Sequence, residues 1–334
     1  MTLSSHGARL SVVMSETRPS VHLTSLVFKQ NPALRRLAGL AETDPPRFCK
    51  LTDRLGEADI VLFVENGYFG LSSIRNFYVT RNENRHAQYY FFSEGDWPFP
   101  FLPGLYCSLS RRLPWAFSWA FLLDATQPYS CGERDASYLF SFLGRLRTHP
   151  VRRRICRLDS ASTPCVDVAH GPQRFDCWDY QTTYLRLVSE SLFVLCPRGF
   201  GTSSIRIFET MRAGRVPVII SDAWIEPPVG EWSQFSLRVP EHAVEQIPQI
   251  CEQHLDAAVA MGALARRAFD EFFSPTRFLD SAILFLRTAA GAVPGVWSRS
   301  PVRNAARALS VREFREIAHR ARHGLISNCF RFAR

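Results

Sequence analysis

The sequence predicts an α/β protein of two domains, each a parallel sheet covered by helices. Three observations predict it. The chain has 334 residues, which exceeds the roughly 100–200 residues of a typical domain. Short apolar runs such as Asp59-Ile-Val-Leu-Phe-Val64 and Tyr89-Tyr-Phe-Phe92 are bounded by Gly, Pro, Asn and acidic residues, as strands buried on both faces are. From Tyr138 onward, strand-like and helix-like segments alternate, the pattern of a parallel sheet with crossover helices. With 46% hydrophobic, 13% aromatic and 21% charged residues, the chain has the apolar surface for a core and too little charge for disorder.

The first strands end in polar turns, Glu65-Asn66-Gly67 and Ser93-Glu94-Gly95-Asp96. Between them, Ser72 to Arg85 is polar with spaced apolar residues and reads as helix or loop. The stretch Asp124 to Asp135 lacks apolar periodicity, which divides the chain into domains 1–135 and 136–290. The second domain opens with a strand over 138–143 and a basic helix near Val151 to Leu158. After an irregular stretch to Trp178 come a helix over Tyr180 to Ser189 and strands over Leu192–Cys196 and Val216–Ser221. Ala243 to Phe273 carries long helical periodicity, with Pro248 near its start. Residues 291–334 form a third segment. From Arg299 onward it holds nine arginines and two acidic residues, spaced among Leu309, Val311, Phe314, Ile317 and Leu325 as in an amphipathic basic helix.

Met1 to Ser20 contains no apolar leader, and the richest apolar stretch, Leu113 to Leu123, is shorter than the ~20 residues of a membrane span. A cytoplasmic protein is therefore expected. The nine cysteines, at 49, 107, 131, 156, 165, 177, 196, 251 and 329, form no Cys-x-x-Cys pair, so reduced thiols are expected rather than a zinc site or a disulfide framework. The net charge of +9 comes from 40 Lys plus Arg against 31 Asp plus Glu. Such an excess suits an anionic partner: nucleic acid, an anionic membrane surface or a phosphorylated small molecule. No interleaved aromatic and basic motif singles out nucleic acid.

Chemistry concentrates in one strand–loop–helix–strand unit, Leu192-Phe-Val-Leu-Cys196, Pro197-Arg-Gly-Phe-Gly-Thr-Ser-Ser204, a helix through Arg212, then Gly214 and the strand from Val216. Gly199 and Gly201 admit a ligand close to the backbone. Thr202, Ser203 and Ser204 supply N-cap hydroxyls and amides at the positive end of the helix dipole. Arg198 in the loop and Arg206 in the first turn add the charge that a diphosphate needs. Glu209, three residues on and one turn deeper, is placed to accept hydrogen bonds from ribose hydroxyls. Two other readings stand beside this one. The unit can be an ordinary βα turn with a solvent-facing Arg206–Glu209 ion pair. It can also be a dinucleotide fingerprint, Gly199-x-Gly201-x-x-Ser204 with Asp222 as the ribose acid, which would make the protein an NAD(P)-dependent oxidoreductase. A basic nucleic-acid-binding protein is the third class.

The whole segment from Phe193 through Cys196-Pro-Arg-Gly-Phe-Gly-Thr-Ser-Ser-Ile-Arg-Ile-Phe-Glu209 to Asp222 resembles the exostosin family of glycosyltransferases. Weaker similarity surrounds it at Ala58-Asp59, Ser93 to Asp96, Pro103-Gly104-Leu-Tyr106, Phe142-Leu-Gly-Arg145 and Trp232 to Glu241. The resemblance implies a GT-B fold, two Rossmann-like domains facing across a cleft, with the nucleotide on the C-terminal domain. It implies transfer with inversion from a nucleoside diphosphate sugar to a saccharide or glycolipid acceptor, without a tightly bound metal or cofactor. The donor-binding residues it implies are Arg145, Arg198, Gly199, Phe200, Gly201, Thr202, Ser203, Ser204, Arg206 and Glu209. Arg145 is equally read as a surface arginine. The sequence departs from animal members in lacking an N-terminal anchor, which suggests a bacterial-type enzyme, and in reading Trp224-Ile-Glu-Pro-Pro228 where an aliphatic-Pro turn is usual.

An inverting transferase needs a base for the acceptor hydroxyl. Glu94 and Asp96 lead among the strand-end carboxylates of the first domain, with Glu65 next; each is also readable as a turn or cap residue. His319 and His323 share a helix face without an acidic third ligand and are read as part of the solvated basic tail. That tail is the segment expected to touch anionic lipid at the inner membrane face.

Overall fold

A computed structural model of the chain describes residues 18–27, 31–66, 71–96, 98, 100–125, 136–168 and 180–292. The first sheet contains β1 (Ser20–Thr24), β2 (Lys50–Leu51), β3 (Ile60–Glu65), β4 (Gln88–Ser93), β5 (Gly104–Tyr106) and β6 (Ala116–Ser118), in the order β2-β1-β3-β4-β5-β6. The second contains β7 (Tyr138–Gly144), β8 (Cys165–Asp167), β9 (Ser191–Pro197), β10 (Val216–Ile220) and β11 (Leu237–Arg238), in the order β11-β10-β9-β7-β8. Every neighbouring pair in both sheets is parallel. Two parallel sheets of one topology, in contact through their C-terminal loops, are the GT-B arrangement.

In each sheet the strand order reverses beside the first strand, between β1 and β3 and again between β7 and β9. The loops leaving those two strands diverge, so a crevice opens outside their carboxyl ends. The continuous apolar runs are explained by burial on both faces. All six residues of β3 are buried. Along β9, Phe193 and Leu195 pack on one face with Val151 and Ile247, while Val194 and Cys196 pack on the other with Ile207 and Met211.

Helix Leu71–Glu83 occupies the region read as helix or loop. The long periodicity over 243–273 is broken into a 3-10 turn Glu241–Gln246, helix Ile247–Gln253, a second 3-10 turn Leu255–Ala257, helix Ala258–Ala268 and a π turn Phe269–Phe273. Pro248, which has no N–H to give, sits in the first turn of a new helix.

The sheet changes between Ser118 and Tyr138, and residues 126–135, where the boundary was placed, lie outside the described residues. Helix Pro275–Ala292, assigned by sequence to the second domain, packs against the first. Phe278 meets Phe92 edge-on at 5.1 Å, Phe285 meets Phe117 at 5.0 Å, and Asp280 accepts the backbone N–H groups of Arg47 and Phe48, each at 2.9 Å. A hollow of about 320 Å³ under this helix is bordered by Phe48, Trp119, Phe272 and Arg277 and by none of the donor-loop residues.

Six of the nine cysteines fall among the described residues, all as free thiols. Burial pushes that of Cys196 up to about 12. No helix among the described residues is long and apolar enough to cross a membrane. The Arg-rich tail from 293 onward, with His319 and His323, lies outside them.

Candidate functional site

The donor loop occupies 198–204, between β9 and helix Ile205–Arg212, at the β7/β9 reversal. Long-range bonds fix it. The amide of Arg198 donates to Ile220 O (3.0 Å), Ser221 Oγ donates to Thr202 O (2.7 Å), and Thr202 Oγ1 donates to Ser108 O of the first unit (2.8 Å). Gly214 follows the helix with φ +65°, the left-handed value expected of a C′ residue.

The N-cap hydroxyls are placed differently from expectation. Ser204 occupies the N-cap position, but its side chain makes no capping bond; Thr202 turns to the first unit, and Ser203 Oγ is buried without a partner. Closure against the first unit takes the Thr202 hydroxyl away from the helix end. The amides at the helix start are therefore left uncapped by side chains and available to a ligand.

Arg206 is buried, which removes the solvent-facing ion pair as a reading. Its guanidinium lies 5.0 Å from the Phe142 ring and 5.4 Å from the Tyr184 ring, Nη2 donates to Leu143 O at 2.7 Å, and Nε has no partner. Arg198 is also buried; its Nη1 is 3.8 Å from Glu241 Oε1, and its Nε likewise has no partner. Glu209 Oε2 accepts the Tyr184 hydroxyl at 2.6 Å. Arg145 is exposed in the turn after β7, Phe200 is half-buried, and Gly199 and Gly201 line the loop's inner side.

Sequence reasoning missed Arg152. From helix Pro150–Ile155 its Nε donates to Arg198 O (2.9 Å), Nη2 to Pro197 O (3.1 Å) and Nη1 to Arg145 O (3.3 Å), stitching the two loops at the reversal. Burial and neighbouring Arg206 push its pKa down to about 9, which leaves it cationic at neutral pH. The signal was present in Arg152-Arg-Arg154 just after the first βα turn, but nothing local says which of the three turns inward. Arg198 and Arg206 each keep a buried Nε without a partner, a costly arrangement that an anion would relieve.

The three candidate bases separate. Glu94 is taken: Arg36 Nη2 is 2.6 Å from its Oε2, the Leu122 amide donates to Oε1 at 2.7 Å, and burial pushes its pKa up. Glu65 is buried and accepts from Ser25, Leu26 and Asn31. Asp96 is exposed and faces the donor loop, since a Cβ on Gly201 would lie 2.7 Å from Asp96 Oδ1. The same Cβ would lie 2.5 Å from Ser108 Oγ and 3.0 Å from Asp96 Cα. Gly201→Ala is thus expected to wedge the units apart, costing about 1–3 kcal/mol and most of the turnover, as read by thermal melting and a transfer assay.

The dinucleotide fingerprint lacks its acid. Asp222 Oδ1 accepts the Glu241 amide at 2.9 Å while the Asp222 amide donates to Glu241 Oε1 at 3.1 Å, so this carboxylate serves the local turn. The helix also starts at Ile205, after the glycines rather than on them.

Residues 125–254 match the Exostosin GT47 domain. An exostosin-1 homolog of Caenorhabditis elegans is 31% identical over 113 residues, 33% of this chain and 28% of that protein. A probable glucuronoxylan glucuronosyltransferase of Arabidopsis thaliana is 34% identical over 93 residues, 27% of this chain and 19% of that one. The chain thus spans less than a third of these relatives' length. Among solved structures, a glycosyltransferase from Rickettsia africae aligns with TM-score 0.46 at 9% identity over 83% of this chain and 100% of that one. Anabaena HepE in complex with UDP-glucose aligns with TM-score 0.39 at 11% identity over 82% and 98%. The matched stretch contains the complete β9–loop–helix–β10 unit, the three inward arginines and Glu209, so the similarity to the Exostosin GT47 domain falls on the unit in which the candidate site lies.

Proposed function

We propose that the protein is an inverting glycosyltransferase that moves a sugar from a nucleoside diphosphate sugar to a saccharide or glycolipid acceptor. The observation that carries this reading is the convergence of Arg152, Arg198 and Arg206 at the β7/β9 reversal beneath the donor loop. The exostosin match over 125–254 supports the reaction class.

The diphosphate lies against Arg198, Arg206 and the amides at the start of helix Ile205–Arg212, which no side chain caps, with Arg152 holding the loop and Arg145 at the rim. Glu209, which accepts the Tyr184 hydroxyl, lies one turn into the helix, on the side where the ribose hydroxyls would come. Asp96 takes the acceptor's hydroxyl proton. The acceptor oxygen then bonds to the anomeric carbon from the face opposite the diphosphate, the bond from that carbon to the leaving oxygen breaks, and the charge developing there is met by the arginines, already in place in a dry site.

Calorimetric titration with UDP, GDP and NAD+ tests the reading. A nucleoside diphosphate should bind, Arg206→Ala should weaken it about 10–100-fold, the worth of a charged hydrogen-bond donor, and Glu209→Gln should weaken it less. Binding of NAD+ without the diphosphates, or unchanged affinity in both variants, would overturn the assignment.

A further inference from the structure

We infer that Arg212, at the end of the donor helix remote from the diphosphate, is a positioning residue that sets the alignment between donor and acceptor base, an inference that rests on the reading above. The donor loop and helix Ile205–Arg212 lie along segment 108–125 of the first unit, with contacts that follow one another in the same order on both. Ahead of the helix, Thr202 Oγ1 donates to Ser108 O at 2.8 Å. Midway, the Phe208 ring meets Phe121 edge-on with centroids 6.4 Å apart. In the last turn, Arg212 donates from Nη1 to Asp124 O at 2.6 Å and from Nη2 to Ala125 O at 3.1 Å. A planar fork across two consecutive carbonyls fixes direction as well as distance.

An arginine in a last turn is ordinarily explained by the negative end of the helix dipole. Arg212 does more, because both of its Nη atoms leave the helix for the other unit. Its own carbonyl accepts Arg266 Nη1 at 2.7 Å, and Arg266 Nε donates to Asp270 Oδ2 at 2.7 Å. The main chain of Arg212 is thus tied to the second unit and its side chain to the first. Arg215, three residues on, gives the contrast: its Nη2 donates to Ser189 O, within the second unit.

The consequence falls at the other end of the helix. Eight residues of helix make a stiff rod about 12 Å long, so a tilt admitted at Arg212 is carried to Arg206 and to the amides that face the diphosphate. Asp96, which faces Gly201 from the first unit, does not move with that rod. Transfer requires base, acceptor oxygen and anomeric carbon in line, and a misplacement of about 1 Å can cost roughly 10²-fold in rate. Holding the diphosphate requires only the arginines and amides of the second unit. Loss of Arg212 therefore reaches turnover and leaves donor affinity alone.

The test measures nucleoside diphosphate release from UDP-glucose, UDP-glucuronic acid and GDP-mannose with soluble oligosaccharide acceptors, and calorimetric affinity for UDP and GDP, in the protein, Arg212→Ala and Arg215→Ala. Arg212→Ala should lower kcat about 10–100-fold with donor KM and diphosphate affinity within about twofold, while Arg215→Ala, which also gives up a carbonyl, keeps its kcat. Should Arg212→Ala melt early, Arg212→Lys, with one donor where the fork had two, should show the same split at smaller amplitude. An unchanged kcat in Arg212→Ala, a parallel loss of diphosphate affinity, or an equal fall in Arg215→Ala would overturn the inference and leave the donor site standing. If the unsubstituted protein neither binds UDP or GDP nor turns over any of the three donors, the reading of the reaction fails and the role of Arg212 falls with it.

Discussion

Asp96→Asn is expected to lower turnover about 10²–10⁴-fold, the range for loss of a general base, while nucleoside diphosphate affinity stays within roughly twofold. The chemistry of inversion requires a group on the acceptor side to take a proton, and the carboxylates at the ends of the first sheet are not equivalent. Glu94 is bound to Arg36 and to the Leu122 amide. Glu65 is enclosed by Ser25, Leu26 and Asn31. Asp96 is exposed beside Gly201, where the units meet. Initial rates and calorimetry on Asp96→Asn and Glu94→Gln check this. If Asp96→Asn retains wild-type turnover, or if Glu94→Gln alone shows the loss, the base has been misassigned.

The largest effect on stability is expected from Gly104→Ala. Gly104 lies in β5 in register with Phe91 of β4. A Cβ there would lie 2.0 Å from the Phe91 carbonyl oxygen and 2.7 Å from its amide nitrogen, both backbone atoms that no rotamer change can move. The strands must separate or the bulge must spread through the sheet, at a cost of about 3 kcal/mol or more. Thermal melting should show a fall of roughly 6 °C or more, with reduced soluble yield. A melting temperature equal to that of the unsubstituted protein would mean the strand spacing is looser than described. The site would suffer too, because β5 leads directly to Ser108, which holds Thr202 of the donor loop.

Much of the molecule follows from rules that operate within a few residues. The helix over Tyr180–Ser189 begins and ends where its periodicity does, β9 and β10 are legible as apolar runs, and Gly214 takes the positive φ of a helix end. Arg198, Arg206 and Glu209 were singled out because loop, first turn and second turn are short-range relations. Other features depend on contacts between distant segments. Thr202 gives up a cap for a carbonyl 94 residues away, Glu94 is bound by an arginine 58 residues away, and Asp280 caps backbone 232 and 233 residues away. Arg152 turns inward beneath the donor loop while Arg154 turns out to Glu245. A hydroxyl or a charge carries the same local preference whether or not a partner arrives, and the partner arrives only when two sheets close on each other. Those partners came from the assembled fold, because burial raises the cost of an unpaired polar group until the pairing that closure offers outweighs the local one.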